Sequence, residues 1–314
     1  MKIRIWLGLL AVYISWGTTY LAIRFAVETI PPFLMAATRF LIAGLIVYTW
    51  RRLAGDPRPS RLQWRSAAII GLLLLTGGIG GVAWAEQRVA SGVAALIVAS
   101  SPLWMVLIDA LRRGGALPRW QTSAGVLVGL LGIVLLVDPS VGSDRSLKLD
   151  SMGVLALSLA AFLWAVGSLY SRHADLPASP LMGTGMEMLA GSAGLFVMGT
   201  LTGEWGSLNL QAITARSLLG LAYLVIAGSL VGFVAYTWLL RVAPTPLVAT
   251  YAYVNPLIAV LVGSLWGEEA LMPRLVLAAL VIVAGVVLIN LGRRVNKTGR
   301  LPERLELSPA HGED

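Results

Sequence analysis

The chain has no cysteine, and its 314 residues include only two histidines, His173 and His311. Disulfide scaffolds, thiol chemistry and zinc–thiolate centres are therefore excluded, and a histidine metal cluster has too few ligands. Charge is scarce as well. Only 13% of residues are Asp, Glu, Lys or Arg, against about 25% in a soluble domain. The phosphate loop G-x-x-x-x-G-K-[ST] is missing, which argues against nucleotide-driven pumping by the chain itself. Ser192 and the other serines have no histidine nearby, and His173 stands alone at a turn, so no catalytic constellation forms. The expectation is a protein that is not an enzyme and that needs no cofactor and no metal.

What remains is apolar. Hydrophobic residues make up 57% of the chain, and mean hydropathy is +0.79. Such an excess finds its place in lipid. The 34 glycines suit helices that pack closely in a bilayer. Apolar runs of helical length fall at 5–27, 32–50, 65–85, 91–110, 119–137, 151–171, 180–201, 215–238, 246–266 and 273–292. Each approaches the ~20 residues needed to cross ~30 Å of hydrocarbon. The first is too long for a cleaved signal and lacks an A-x-A exit, so it is expected to stay as a helix.

The net charge of +8 raises the possibility of nucleic acid, but its distribution follows a membrane. Of the 24 basic residues, 17 fall on one side of the expected spans and 5 on the other. Arg51, Arg52, Arg58, Arg61, Arg65, Arg293, Arg294 and Lys297 belong to the richer side. This bias predicts a multi-pass protein with both termini in the cytoplasm and no role in binding nucleic acid.

The chain also repeats itself. Trp16, Pro32 and Arg39 fall opposite Trp164, Pro180 and Glu187, each pair 148 residues apart, and Pro102 falls near-opposite Pro256. Five spans per half would leave the halves upside down relative to each other. The expected fold is an all-α polytopic membrane protein of ten transmembrane helices in two inverted five-helix repeats. The repeats are residues 1–143 and 144–295, with a polar cytoplasmic tail at 296–314.

Some residues need explanation in such a setting. Tyr13, Trp16 and Tyr20 share one helix face, and Trp164 lies in the matching region of the sixth span. Trp16 and Trp164 are each about eleven residues into their spans, far from either interface. Such rings can enclose an amphipathic substrate, or pack helices and anchor them at the interface. Arg39 and Glu187 each lie seven residues beyond a proline, ~10 Å deep at 1.5 Å per residue. One reading is a salt bridge between the halves. The other is two sites, with Arg39 holding a carboxylate and Glu187 an amine or proton. Pro102 and Pro256 sit inside expected helices, where each removes a donor and favours a kink, which suits a hinge or gate. Ser101 and Asn255 precede them and can bond the freed carbonyl or contact substrate. Of Tyr251 and Tyr253, two apart, at most one can point into a cavity. Glu86, Gln87, Arg88, Glu268 and Glu269 read as a solvated rim, and Asp109 as a local partner of Arg112 or Arg113.

The stretches WGTTYLAIRFAVETIPPFLMAATRFLIAG, VASGVAALIVASSPLW and APTPLVATYAYVNPLIAVLVGSLWGEEA carry a resemblance. In them the chain resembles the drug/metabolite transporter superfamily, specifically its ten-helix exporters with two EamA-type domains. The resemblance implies a central cavity lined by the first, third, fourth, sixth, eighth and ninth helices. It implies export of small metabolites from a bacterial cytoplasmic membrane, with amino acids the leading class. The expected substrate site is Trp16, Tyr20, Trp164, Asn255, Arg39 and Glu187, gated by Pro102 and Pro256. The expected partners are a small-molecule substrate and the lipid bilayer, and the expected state is a monomer or weak homodimer. A proton-coupled drug or amine exporter, a metabolite channel and a non-transporting membrane protein stand as alternatives.

Overall fold

The computed structural model describes residues 2–111, 120–137, 150–243, 250–268 and 273–298. All regular structure among them is helical. Helix α1 (Lys2–Ala26) leads into α2 (Pro32–Leu53), whose first position is a proline that loses no intrahelical bond there. A third rod begins as α3 (Arg61–Gly71), passes through a π-helical segment at Leu72–Ile79 and ends as α4 (Gly80–Ala85). Helices α5 (Ser91–Val98), α6 (Ser101–Leu111), α7 (Trp120–Val137), α8 (Ser151–Ser171) and α9 (Pro180–Leu201) follow. After the short α10 (Glu204–Ser207), α11 (Ala215–Tyr223) enters a second π segment at Leu224–Val231 and continues as α12 (Gly232–Val242). The described chain ends with α13 (Tyr251–Trp266) and α14 (Pro273–Thr298).

Local chemistry fixes these starts. Ser60 and Gln63 form a reciprocal capping box at α3, and Asp150 accepts from the Gly153 N–H at 2.7 Å at α8. Ser179 and Thr214 cap α9 and α11 in the same way. Between α2 and α3, Arg51 pairs with Asp56 at 2.6 Å, and this hydrogen bond holds the Asp56 carboxyl below the usual carboxylate range.

Six helices among the described residues are long and apolar enough to cross a membrane: Ile3–Ala26, Pro32–Leu53, Arg61–Ala85, Ser151–Ser171, Pro180–Leu201 and Ala215–Tyr236. The other expected spans hold shorter apolar helices, Ser91–Met105, Ser123–Gly132, Val254–Trp266 and Leu275–Gly285. An all-α polytopic membrane protein with six such spans thus replaces the expected ten helices in two inverted five-helix repeats. The shorter stretches run 10–17 residues, short of the ~20 that a bilayer requires. The clearest cause is in the run 91–110, where the helix breaks between α5 and α6 at Ala99–Ser100, just ahead of Pro102.

Glycine lets the rods approach. Helices α2 and α9 run antiparallel, because Gly44 meets Met188 and Leu189 while Tyr48, a turn later, meets Gly185. Ser192 donates to the Ala37 carbonyl at 2.9 Å across the same seam. Helices α7 and α14 join through Gly129 and Gly285, where a Cβ on Gly285 would stand 2.5 Å from the Gly129 nitrogen. Small residues at such crossings supply the packing that lipid does not drive. Helix α1 lies at the centre, against α11, the second π segment, α12, α13 and α5.

Candidate functional site

A π segment leaves carbonyls off the ordinary i to i+4 ladder, and in a membrane those groups need partners. At Leu224–Val231, helix α1 supplies two such partners, and α2 adds a bond to a side chain of the segment. Ser15 donates to the Ala227 carbonyl at 2.5 Å, and the Trp16 indole nitrogen donates to the Gly228 carbonyl at 3.1 Å. Arg39 donates from Nε to the Ser229 hydroxyl at 2.9 Å. Gly228 and Gly232 leave the room for this. A Cβ on Gly228 would stand 2.8 Å from the Arg39 guanidinium, and one on Gly232 would stand 2.3 Å from the Trp16 indole nitrogen.

Around Trp16 the rings close into a cluster. Its centroid lies 5.3 Å from Phe233, 5.0 Å from Tyr236 and 5.2 Å from Tyr251, and Tyr236 lies 5.7 Å from Tyr251. The mostly edge-to-face angles are those that aromatic quadrupoles favour. Trp164 and Tyr236 stand within side-chain hydrogen-bonding reach of the Tyr251 hydroxyl, and Tyr20 is near enough to act on Tyr251 electrostatically. The Tyr13 hydroxyl bonds the Thr250 hydroxyl at the edge of the cluster. Trp164 leans on the first π segment at Gly78, where a Cβ would lie 3.1 Å from its ring. Both π segments therefore back a tryptophan.

One turn after Tyr251 comes Asn255, which is 7% exposed and whose Oδ1 is buried without a hydrogen-bond partner among the described residues. Pro256 follows it inside α13. Pro102 sits differently, at the second position of α6, and the Ser101 hydroxyl donates at 2.7 Å to the Val98 carbonyl that the proline leaves without its helical donor.

Arg39 and Glu187 are not brought together. Arg51 pairs with Asp56 and Arg216 with Glu28, and no ion pair joins Arg39 to Glu187 among the described residues. The antiparallel register sets Glu187 level with the stretch that follows Gly44, more than a turn from Arg39. Arg39 is 3% exposed, with its guanidinium 4.7 Å from the Phe40 ring centroid. Glu187 instead acts on Tyr236 electrostatically.

Several residues escaped the sequence reading. Tyr236, Phe233 and Ser229 lie on the eighth expected span, where nothing in their spacing marks them. Glu86 reads as a solvated rim residue but is 4% exposed. Asp109, Tyr253 and Glu269 have side chains outside the described residues. Glu204 is the clearest omission. Gly203, at φ 75°, turns the chain after α9 and sets Glu204 under the start of α2. Its carboxylate accepts from the Phe33 N–H at 3.1 Å and the Leu34 N–H at 2.9 Å. Burial pushes its carboxyl above the usual range, while these two donors pull it back. Truncation by Glu204→Ala should cost about 1 kcal/mol or more of stability, as loss of a helix cap does, measured by thermal unfolding in detergent.

Glu204 also lines a cleft of about 340 Å³ at that end of the bundle, with Glu28, Thr29, Pro32, Trp84 and Gln87. No group of three or more His, Cys, Asp or Glu placed to hold a metal occurs among the described residues.

Comparison with known proteins gives this geometry its context. The model of the EamA-like transporter family matches residues 3–138 and 151–291. The chain is 38% identical over 288 residues to the Escherichia coli K12 inner membrane transporter YedA, covering 91% of this chain and 90% of that one. It is 27% identical over 277 residues to protein PecM of Dickeya dadantii, covering 88% of each. A solved crystal structure aligns over 92% of this chain and 97% of its own with a TM-score of 0.63, and at 24% identity this is a likeness of fold. With both segments matched and this identity to YedA, the chain belongs to the EamA-like transporter family and is a small-molecule membrane transporter of the drug/metabolite superfamily, not an enzyme.

Proposed function

We propose that this transporter exports small amphipathic metabolites, with amino acids the first class, as a carrier that opens its site to alternate sides. Trp16, Tyr20 and Trp164 would hold the apolar part of the substrate, and Asn255 would bond a donor on it. Arg39 would hold a carboxylate, and Glu187 an amine or a proton. The observation that carries this reading is Asn255 Oδ1. It is a buried acceptor without a partner, one turn from an aromatic cluster. Buried polar atoms in proteins nearly always find a partner, so one left open beside stacked rings suits a ligand. The break before Pro102 and the proline within α13 would let these helices bend.

The segments 1–143 and 144–295 would form the two units around the site, with 296–314 as a tail. The basic bias supports both termini in the cytoplasm, and YedA's inner membrane placement supports the same membrane here. We expect a monomer or weak homodimer that binds no nucleic acid.

The test uses purified protein in liposomes of fixed orientation, loaded with labelled amino acids and small amines, with and without a proton gradient. Saturable efflux with trans-stimulation supports the carrier. Flux that does not saturate would mean a channel, and no flux from folded protein would remove the amino-acid and amine readings. A second reading, a proton-coupled amine exporter, is favoured by Glu187, which makes no ion pair among the described residues. Glu187→Gln should then abolish the gradient dependence of efflux, and unchanged gradient-driven flux would take the coupling role from Glu187.

A further inference from the structure

Pro32–Leu53 and Arg61–Ala85 are both long and apolar enough to cross the membrane, so the turn between them lies at one membrane surface, level with lipid headgroups. Five arginines occupy this corner: Arg51, Arg52, Arg58, Arg61 and Arg65. Two of them hold the turn together. Arg51 pairs with Asp56 at 2.6 Å, and Arg52 donates to the Asp56 carbonyl. The other three are exposed and form no ion pair among the described residues. Asp56 is already taken by Arg51, and Asp175, on the turn after α8, pairs with none of the three. Arg172 adds to the positive field, because Gly167 of α8 meets Leu73 and Leu74 and brings the end of α8 level with α3.

The placement of these charges is unfavourable without an anion. Arg61 is the first residue of α3 and Arg65 follows at i+4, so the two share one face near the positive end of the helix. Like charges at that spacing repel, and the helix dipole opposes both. Neither is needed to start the helix, since Ser60 and Gln63 already form the capping box there. Membrane orientation asks for basic residues on one side, not for this face of this helix. The patch is also held in place. Trp64 packs inward, 5.7 Å from the Tyr48 ring and against the cluster of Ala67, Met182 and Met186, which fixes the start of α3 on α2 and α9. Leu62, next to Arg61, and Leu53, at the end of α2, are exposed and offer apolar surface beside the charges.

We propose that Arg58, Arg61 and Arg65 bind the phosphate of an anionic phospholipid, which makes that lipid a specific partner of the α2–α3 corner. Guanidinium groups take phosphate oxygens in paired hydrogen bonds. A net negative headgroup relieves the repulsion between Arg61 and Arg65, whereas a zwitterionic one brings its own cation to the same place. The acyl chains run down past Leu53 and Leu62. Bound lipid thus ties α2 to α3 and stabilises the fold.

The test follows thermal unfolding of the purified protein in a neutral detergent while short-chain phosphatidylglycerol or phosphatidylcholine is added. Phosphatidylglycerol should raise the Tm in a saturable way and phosphatidylcholine should not, and salt at about 0.5 M should remove the difference. The double variant Arg61→Gln, Arg65→Gln should need about thirtyfold more phosphatidylglycerol for the same shift, the effect of two arginines near an anionic surface. Lysine at both positions keeps the charge and should restore most of the binding. Arg58→Gln lies outside the helix, serves if the double variant fails to fold, and should need about fivefold more lipid. Arg216→Gln, at the opposite end of the bundle, should respond to the lipid as the wild type does. Equal stabilisation by phosphatidylcholine overturns the proposal. So does inorganic phosphate that acts as well as phosphatidylglycerol, which would make the patch a plain anion site. Glutamine variants that bind phosphatidylglycerol as the wild type does would overturn it as well.

Discussion

Replacing Trp16 with alanine should abolish saturable efflux, while phenylalanine at the same position should leave a measurable fraction. Alanine removes three ring contacts at once, to Phe233, Tyr236 and Tyr251. Each such pair contributes about 0.5–1.5 kcal/mol, and truncating a buried tryptophan costs about 3–5 kcal/mol. It also removes the donor to the Gly228 carbonyl inside the second π segment. In a bilayer no water replaces that donor, so the segment is left with an unpaired carbonyl. Trp16→Phe keeps one aromatic ring in the cluster, at some loss of packing volume, and removes the hydrogen bond. The two variants therefore separate packing from the hold on the π segment. Initial rates of efflux, normalised to protein folded in detergent, give the comparison. Wild-type rates in the alanine variant would show that the cluster is a packing feature away from the path.

The pattern that was legible in the sequence is the one carried by apolar length. The starts of α2 and α9 at Pro32 and Pro180 coincide with the expected ones, because proline at the first helical position is a strong local signal. Span count was less legible. A run such as 91–110 looks continuous by hydropathy, and only the backbone break at Ala99–Ser100 divides it. The π segments were invisible, since LLLLTGGI and LVIAGSLV satisfy an α-helical pattern equally well. What distinguishes them is tertiary, namely donors such as Ser15 and Trp16 that arrive from another helix.

The site divides in the same way. Trp16 and Trp164 could be singled out because depth in a span is countable. Arg39 and Glu187 could be singled out because charge in lipid is rare. Their relation could not, because pairing depends on the register of α2 against α9, set by Gly44 and Gly185. Spacing marks a helix face but not what stands opposite it. Glu86 illustrates this. A carboxylate at a helix end beside Gln87 and Arg88 reads as solvated, yet tertiary packing leaves Glu86 4% exposed.

The seam between α3 and α9 yields the second large expected effect. Gly71 closes α3 just before the first π segment, and a Cβ there would stand 2.4 Å from the Glu187 carbonyl oxygen and 2.9 Å from the Gly191 nitrogen. Both are backbone atoms, which have no rotamer by which to withdraw. Gly71→Ala must therefore push α9 away along its length. That movement also strains the bond from the Thr76 hydroxyl to the Gly191 carbonyl, now 3.0 Å. Overpacking of this kind costs about 1–3 kcal/mol. The functional effect should be larger than that figure suggests, because α9 carries Glu187 and holds α2, the helix of Arg39, by Ser192 and Gly185. Gly206→Ala is the matching control, since a Cβ there meets nothing within 4 Å. It should change stability by less than about 0.5 kcal/mol, as surface substitutions do. Thermal unfolding in detergent and efflux from liposomes, measured on both variants, should show the Gly71 variant losing most of its transport and the Gly206 variant indistinguishable from wild type. Equal behaviour of the two would mean that α3 and α9 slide past each other freely enough to absorb a methyl group, and that the seam does not hold the charged helices in register.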